Sequence, residues 1–239
     1  MNPSRSSPAA NRLLNALPER DRALLLPHLK DVPLRAREVV FEAQDEIRQV
    51  LFPSRGMISV FAVADDGDAI ETASVGSEGA VGAIAALGIR SASGRAMVQI
   101  SGEAKRIAVA QLQKAAGMSE RIRDMILRSH EAITVQAQQS AACAALHDVE
   151  ARLARWLLQA HDRSEGDNIL LIQDYLAQAL GVRRTTINLV IGSLQDAGLL
   201  RYRRGQIDLI DRNGLMARSC ACYGIVRRQV DGVLLRAPE

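Results

Sequence analysis

The sequence predicts an α+β protein with three parts: an N-terminal antiparallel β-roll of the jelly-roll (cupin-like) type, a long central helix, and a C-terminal helical module that ends in a hairpin. Short β-branched runs separated by turn residues fill 32–109, which favours a roll. Neither proline nor glycine occurs between Ser119 and Leu146, so that segment predicts one long helix. Two helical patterns meet at Gly181 within the stretch 171–210. We accordingly divide the chain into a disordered lead at 1–10, a β-roll domain at 11–118, a central helix at 119–145 and a C-terminal domain at 146–239.

The composition is that of a globular protein built from aliphatic and alanine side chains. The chain has 239 residues, enough for two domains that each bury a core, and 48% of them are hydrophobic while 3% are aromatic. No run approaches the roughly 20 apolar residues that a membrane helix needs. The N-terminal residues contain no apolar core of a signal peptide. These features lead us to expect a cytoplasmic protein.

Positive charge is concentrated in one part of the C-terminal domain. The net charge of +3 and the pI near 9.0 permit a polyanionic partner without requiring one. Between Arg183 and Arg204 the chain has five arginines and one acidic residue, Asp196. Such a basic segment is typical of a nucleic-acid-binding surface.

The β-roll domain is expected to begin with two short helices and to continue with short strands. Pro18 and Pro27 interrupt the helical pattern of 11–30. Gly67 can supply the positive φ of a tight turn within Asp65–Asp68, which predicts a hairpin there. The predicted strands are Glu38–Phe41, Gln49–Phe52, Met57–Val63, Ala69–Val75, Arg95–Ile100 and Lys105–Val109.

The central helix begins at a favourable cap and has one face suited to burial. Ser119 is a good N-cap residue. Small residues in Ala137–Ala145 would let a second helix approach closely. Asp148 is expected to cap the next helix, in which Trp156, the only tryptophan, would join the core of the C-terminal domain. The stripe expected on the buried face consists of Ile122, Met125, Ile126, Ser129, Ile133, Gln136 and Ser140.

The C-terminal module consists of two short helices followed by a hairpin and a terminal helix. Gly181 ends the first helix at little cost because glycine tolerates positive φ. Alternating runs on both sides of Gly205 predict a tight hairpin, and Asn213–Val233 reads as a structural terminal helix. The second helix would bury Ile187, Val190, Ile191 and Leu194 and expose Arg184, Thr185, Asn188 and Leu189. A plain helical hairpin with a solvated charged face is the alternative to a nucleic-acid-binding module.

The module resembles the winged helix-turn-helix of the Crp/Fnr family of bacterial transcription regulators. This resemblance implies a cyclic-nucleotide-binding-like sensor domain in the β-roll, a homodimer formed through the 119–145 helix, and a roughly palindromic DNA operator. It also implies double-stranded DNA and RNA polymerase as partners. The matching residues are Gln173, Ala177, Gly181, Val182, Arg184, Thr185, Thr186, Ile187, Leu194, Gly198, Leu199, Arg204, Gly205, Gln206 and Ile207.

In the family the second helix lies in the major groove and the wing follows the DNA backbone. By position, Arg184 is the candidate for a bidentate contact to guanine, and Thr185 and Asn188 come next for base contacts. Leu189 stands where many relatives carry arginine, so an apolar contact to a thymine methyl would replace a polar one. The remaining DNA-binding candidates, mostly for phosphates, are Gln173, Arg183, Thr186, Arg203 and Arg204, with Arg201 equally consistent with simple solubility.

A possible effector pocket follows from the resemblance of Gly76-Ser77-Glu78-Gly79 to the phosphate cassette of the family's β-roll. The sequence departs from the cassette because Ser77 separates the glycine from the glutamate and Arg95 is moved by one residue along a predicted strand. A shift by one residue reverses the face on which a strand side chain points. We therefore expect an unknown or absent effector, with a cyclic-nucleotide-responsive regulator as the alternative.

No metal site, cofactor or enzymatic activity is expected from the sequence. Cys220-x-Cys222 without further cysteine or histidine nearby is a poor zinc site because structural zinc takes four ligands. Cys143 is expected to be a packing residue, and the four histidines, His28, His130, His147 and His161, are scattered. No catalytic triad, paired-carboxylate signature or Walker loop stands out. A protein-interaction sensor whose C-terminal module does not read DNA is a further alternative.

Overall fold

The computed structural model of the protein describes residues 11–164, 166–170 and 173–235. The predicted disordered lead at 1–10 and the residues Leu171 and Ile172 of the C-terminal module lie outside the described residues. Within them no helix is both long enough and apolar enough to cross a membrane. The chain starts with the two expected short helices, α1 (Arg12–Ala16) and α2 (Glu19–Ala23).

The strands of the first domain form one antiparallel sheet in the order β1-β5-β3-β4, with β2 also paired to β5. Its hairpin between β3 and β4 is the one predicted around Gly67. Strand β1 was missed from the sequence because Pro33 suggests a turn, but β1 lies at the edge of the sheet, where proline is tolerated. The strands are β1 (Lys30–Leu34), β2 (Val39–Phe41), β3 (Gln49–Val63), β4 (Ala69–Val75) and β5 (Arg95–Ala108).

Two pairs of predicted strands are single long strands in the structure. Gln49–Phe52 and Met57–Val63 are joined within β3, and Arg95–Ile100 and the strand predicted from Lys105 are joined within β5. The register between β3 and β5 shifts between Pro53 and Ile58. Gly56 has φ +82°, and a Cβ there would lie 2.5 Å from the carbonyl oxygen of Ile100. Residues that suggest a break between strands therefore form a β-bulge, in which a glycine lets β3 and β5 approach closely.

Two helices follow the sheet and cover one side of it. The strand predicted at Lys105–Val109 ends at Ala108, and α3 (Val109–Met118), which was not predicted, begins at once. The long helix α4 (Glu120–Leu146) starts as expected, since the Ser119 side chain accepts a hydrogen bond from the backbone N–H of Ile122. Its polar stripe residues contact the roll: the Ser129 hydroxyl bonds to the backbone of Ala80, and Gln136 accepts from the N–H of Ser74.

The C-terminal half contains five helices and a small sheet among the described residues. Asp148 caps α5, as predicted, by accepting from the N–H of Ala151. The single terminal helix predicted at Asn213–Val233 is wrong, since Ser219 leaves helical geometry and separates two helices. The elements are α5 (Val149–His161), β6 (Asn168–Leu170), α6 (Gln173–Leu180), α7 (Arg184–Asp196), β7 (Leu200–Arg203), β8 (Gln206–Leu209), α8 (Arg212–Arg218) and α9 (Cys222–Leu235).

The two halves pack against each other through the end of the sheet. Met57 of the roll is fully buried in the hydrophobic core of the C-terminal half, and Trp156 lies in the same core. The indole N–H of Trp156 donates to the carboxylate of Glu71 in β4 at 3.1 Å. The Gly181 turn also faces the roll, because a Cβ at Gly181 would lie 2.9 Å from the Cδ1 atom of Ile70. The sheet therefore contacts the turn between α6 and α7 directly.

Candidate nucleic-acid interface and sensor loop

The turn between α6 and α7 is closed by hydrogen bonds that fix the angle between the two helices. The N–H of Val182 donates to the carbonyl of Ala177, and the N–H of Gly181 donates to that of Gln178. This pair of bonds is the Schellman arrangement, in which the residue after the helix adopts positive φ. Gly181 has φ +61°, so glycine meets that requirement without strain.

Helix α7 has one buried face and one exposed face. Ile187, Ile191 and Leu194 are buried in the core, and Val190 packs against it from a partly buried position, as the sequence predicted. On the opposite side Leu189 is 76% exposed, although it is a large apolar residue. The side chains that share this exposed surface are Arg183, Arg184, Thr185, Asn188 and Leu189, which we call the recognition face.

Arg184 at the start of α7 is held by an acidic partner that the sequence analysis did not include. Its Nη1 atom lies 3.2 Å from the carboxylate of Asp174 in α6, and the two side chains are 60% and 61% exposed. An exposed pair of this kind contributes about 0–1 kcal/mol, so a guanine or a phosphate can replace Asp174 at little cost. Gln173, at the first turn of α6, and Thr186 in α7 are both half-buried and are less accessible than Arg184.

The wing is the three-stranded sheet β6-β8-β7. Its turn residues Arg204 and Gly205 have φ +48° and +81°, the positive values that a two-residue type I′ hairpin turn requires. The side chain of Gln195 in α7 accepts from the backbone N–H of Tyr202, which ties the wing to the second helix. Arg201, Arg203 and Arg204 are exposed, so the wing presents three positive charges to solvent.

The residues Gly76–Gly79, predicted as part of a possible effector pocket and called the sensor loop below, form a tight turn that contacts the C-terminal half. Glu78 forms an ion pair with Arg163, which follows α5, at 2.6 Å, and it also accepts from the backbone N–H of Gly76. A Cβ at Gly76 would lie 2.8 Å from the side chain of Arg163. The glycine therefore allows Arg163 to approach, and Ser77 adds a backbone bond by accepting from the N–H of Arg12 at 2.6 Å.

The pKa of Glu78 is affected by its contact with Arg163. Burial alone would raise the pKa of its carboxyl group, but the positive charge of Arg163 and the Gly76 N–H lower the pKa below the usual value. Glu71, which accepts from Trp156, shows the opposite balance: burial raises its pKa, and the hydrogen bonds it accepts only partly offset that effect.

Arg95, the other candidate of the effector pocket, is engaged elsewhere. It begins β5, and its Nε atom donates to the carboxylate of Glu42 at 2.7 Å. The positive charge that faces Glu78 comes instead from Arg163, 85 residues further along the chain. The structure thus joins Gly76, Glu78 and Gly79 in one turn and pairs Arg95 with a different acid.

The cysteines lie in a cluster that the sequence analysis missed. Cys220-x-Cys222 was expected to have no further cysteine or histidine nearby, and this expectation was wrong. The ligand-type atoms of Cys143, His147, Cys220 and Cys222 all lie within 4.8 Å of one another. A helical spacing of four residues between Cys143 and His147 was the available signal, but nothing local links that pair to the later cysteines.

The two closest thiols of the cluster share a hydrogen bond. The sulfur atoms of Cys143 and Cys220 are 3.5 Å apart, and both residues are buried. This bond lowers the pKa of one thiol, Cys220, and raises the pKa of the other, Cys143, so the pair favours a state with a single shared proton. The positive charge of Arg155, also buried, lowers the pKa of both thiols.

Comparison with known proteins agrees with this geometry. The family described as the Crp-like helix-turn-helix domain matches residues 151–218, which include α5 to α8 and the wing. No curated protein matches the chain.

Three solved structures illustrate the similarity of the fold. FixK2 from Bradyrhizobium japonicum has a TM-score of 0.69 and 18% identity, with 81% of this chain and 98% of that chain covered. The c-di-GMP-responsive global regulator CLP from Xanthomonas campestris has a TM-score of 0.63 and 21% identity, with coverage of 80% and 99%. A CRP/FNR-family transcriptional regulator from Thermus thermophilus has a TM-score of 0.64 and 20% identity, with coverage of 80% and 98%. Residues 151–218 therefore match the Crp-like helix-turn-helix domain, and the fold of the chain is similar to that of solved transcription regulators of the Crp/Fnr family.

Proposed function

We propose that the protein is a transcription regulator that binds a specific DNA sequence through the recognition face of α7. The observation that supports this function best is the exposed surface of that helix. Leu189 is 76% exposed and is flanked by Arg184, Thr185 and Asn188 on a helix whose other face is buried. A helix with guanidinium, hydroxyl, amide and apolar groups on one accessible side fits the mixed donors, acceptors and methyl groups of a major groove.

Each group of the recognition face has a distinct role in this proposal. Arg184 leaves Asp174 and donates to the two acceptors of a guanine, while Thr185 and Asn188 contact the neighbouring base edges. Leu189 packs against a thymine methyl group. The phosphates are bound by Arg183 at the N-terminus of α7, by Gln173 and Thr186, and by Arg203 and Arg204 of the wing.

We propose that the protein acts as a homodimer joined through the free face of α4. One face of α4 contacts the β-roll and another contacts α9, through the packing of Ala132 against Val226 and Val230. A third face carries side chains with alternating spacings of four and three residues, as in a coiled coil. Leu127 on this face is 52% exposed. The face consists of Leu127, Glu131, Thr134, Gln138, Ala141 and Ala145.

The dimer has a consequence for the operator. Two recognition helices related by a twofold axis would enter successive major grooves about 34 Å apart, so the operator is roughly palindromic. Sedimentation velocity of the wild type and of the Ala141→Arg variant tests the interface. The wild type should sediment as a dimer and the variant as a monomer, because a guanidinium at close helix contact is desolvated without a partner.

Selection of bound sequences from a random DNA pool is the direct test of the DNA function. We expect one enriched, nearly palindromic sequence whose affinity falls steeply with salt, because phosphate neutralisation releases counterions. Arg20→Ala, at an exposed arginine of α2, is the matched control for Arg184→Ala. Absence of any enriched sequence, or binding that does not depend on salt, would refute the proposal and favour a protein-interaction module.

For the sensor loop we propose that Gly76–Gly79 does not bind a cyclic nucleotide in the manner of the family's cassette. Its carboxylate is occupied by Arg163, and Arg95 is paired with Glu42. The Xanthomonas regulator is described as responsive to c-di-GMP, so that dinucleotide, cAMP and cGMP are the ligands to test by calorimetry. Saturable binding that Arg95→Ala abolishes would overturn this assignment.

The same proposal places the protein in the bacterial cytoplasm, where operator DNA and RNA polymerase are found. It requires no catalytic step, since the work of a regulator is done by differential binding. RNA polymerase is the expected protein partner on the promoter.

A further inference from the structure

The cluster of Cys143, His147, Cys220 and Cys222 is more than a packing feature. Cys143 lies in the last turn of α4 and His147 is the C-cap of that helix, while Cys220 stands in the break between α8 and α9 and Cys222 begins α9. Their four ligand-type atoms lie within 4.8 Å of one another. The fold thus brings together three sulfur atoms and one imidazole from two distant parts of the chain.

Two distances within the cluster are close to the edges of a tetrahedral zinc site. Zinc–sulfur bonds of about 2.3 Å and zinc–nitrogen bonds of about 2.0–2.1 Å place two sulfurs about 3.8 Å apart and a sulfur and a nitrogen about 3.5 Å apart. The Cys143 and Cys220 sulfurs are 3.5 Å apart, and the Cys222 sulfur is 3.6 Å from Nδ1 of His147. Both separations lie close to the values that one shared ion requires.

The surroundings of the cluster suit a charged thiolate site. The side chain of Gln139, one turn before Cys143, donates from Nε2 to the Cys222 sulfur at 3.0 Å. Such a donor stabilises a thiolate and orients it. Three thiolates and one divalent ion carry a net charge of −1, and the buried guanidinium of Arg155, whose charge acts on Cys143 and Cys220, balances it.

We propose that Cys143, His147, Cys220 and Cys222 bind one Zn²⁺ per chain in a closed, structural site. Soft thiolates with one imidazole in tetrahedral arrangement select zinc over magnesium, calcium or manganese, which prefer oxygen ligands. Four protein ligands leave no open position for a substrate water, so the role is structural and not catalytic. This inference goes beyond the proposed DNA function and does not depend on it.

The site has a mechanical role because of where its ligands lie. Cys143 lies in the last turn of α4 and His147 caps that helix. Cys222 begins α9, and the backbone N–H of Cys220 donates to the carbonyl of Ala151 in α5. The ion would therefore join the central helix to the first and last helices of the C-terminal half. This junction would fix the orientation of the C-terminal half relative to α4.

Metal analysis of the full chain tests the proposal. The protein is purified under reducing conditions without chelators and measured by mass spectrometry of metals; we expect about one zinc per chain. Replacement of zinc by Co²⁺ should give the intense d–d bands of a tetrahedral cobalt thiolate site. Substoichiometric zinc that a weak chelator removes at once, or a metal-free chain with a Cys143–Cys220 disulfide, would overturn the assignment.

Variants separate the ligands from their surroundings. Cys222→Ser and His147→Ala should each lose the metal, while His130→Ala, at an exposed histidine of the same helix, should retain it. Gln139→Ala should keep the site but weaken zinc binding by about tenfold to a hundredfold, because it removes a hydrogen bond to a ligand and not the ligand itself. Zinc content unchanged in both ligand variants refutes the site. These measurements use no DNA, so a failed DNA-binding experiment leaves their outcome unaffected.

Discussion

The ion pair between Glu78 and Arg163 links the sensor loop to the C-terminal half. The variant Arg163→Met tests how much this pair contributes to the stability of the protein. Methionine retains an unbranched apolar side chain and removes the guanidinium. The two charged side chains are 12% and 14% exposed. Arg163 also donates to the carbonyls of Ser74 and Gln159, at 3.3 and 3.0 Å. Its removal thus leaves a buried carboxylate without its cation and takes one donor away from each of two carbonyl oxygens.

The expected size of the effect follows from this burial. Breaking a buried pair by removing one partner costs about 3–5 kcal/mol, mainly because the remaining charge is uncompensated. In a chain of this size, 1 kcal/mol shifts Tm by about 2–4 °C, so Arg163→Met should lower Tm by about 6–20 °C. The assay is thermal and urea unfolding at neutral pH, followed by the fluorescence of Trp156, which lies at the same interface.

Two controls make this prediction sharp. Arg48→Met removes an arginine whose pair with Glu46 is exposed, and the expected loss is about 0–1 kcal/mol. The double variant Glu78→Gln with Arg163→Met should be more stable than Arg163→Met alone, because no unpaired buried charge remains. Equal losses in Arg163→Met and Arg48→Met would refute the reasoning.

The pH dependence checks the same pair independently. The folded state lowers the pKa of Glu78 below its unfolded value of 4.5, so its stabilising effect is present above that pH. It is lost as the pH falls from 4.5 through the lower folded pKa. The difference in stability between the wild type and Glu78→Gln should therefore shrink in this acidic window and remain constant from pH 6 to 8.

Three further outcomes are expected. Arg184→Ala should cost about 1–3 kcal/mol of operator affinity and relax the sequence specificity at one base position. Arg203→Ala should instead weaken binding to all DNA sequences alike and reduce the slope of affinity against salt concentration by about one. Polarisation titrations at several salt concentrations measure both effects. Ile187→Ala should destabilise the winged domain by about 2–5 kcal/mol in urea unfolding, because it empties a fully buried site between the two helices. Glu71→Gln should stabilise the protein at neutral pH. Burial raises the pKa of Glu71, so the wild type loses stability as the pH rises above 4.5, and equal pH profiles of the two proteins would contradict this.

The winged module could be predicted because its signals are local. The positive φ at Gly181, the buried stripe of α7 and the turn at Arg204-Gly205 each depend on residues within a few positions of one another. The caps at Ser119 and Asp148 are local in the same sense. Patterns of this range are read directly from the sequence, and the structure has each of these features where it was expected.

The sensor loop and the cysteine cluster could not be predicted because their partners are distant in the chain. Glu78 and Arg163 are separated by 85 residues, and Cys143 and Cys220 by 77. Only the packing of the C-terminal half on the roll and on α4 brings these pairs together. The strand breaks expected near Gly56 were wrong for a related reason, since the pairing of β3 with β5 turns an apparent break into a bulge.

Two of the contacts that join the C-terminal half to the rest of the chain limit how an effector could act. At one place Arg163 binds the loop that carries Glu78; at the other the cysteine cluster joins α4, α5 and α9. A ligand that takes Glu78 for itself must displace Arg163, and the free energy it can transmit to the winged half is bounded by what that pair contributes. Removal of one partner of such a pair costs about 3–5 kcal/mol, so the coupling to DNA affinity that this pair alone can transmit has an upper limit of about 10²–10⁴-fold. By linkage, DNA would change the affinity for the ligand by the same factor. Because the cysteine cluster joins the end of α4 to the start of α9 and includes neither Glu78 nor Arg163, release of Arg163 would leave this second junction in place.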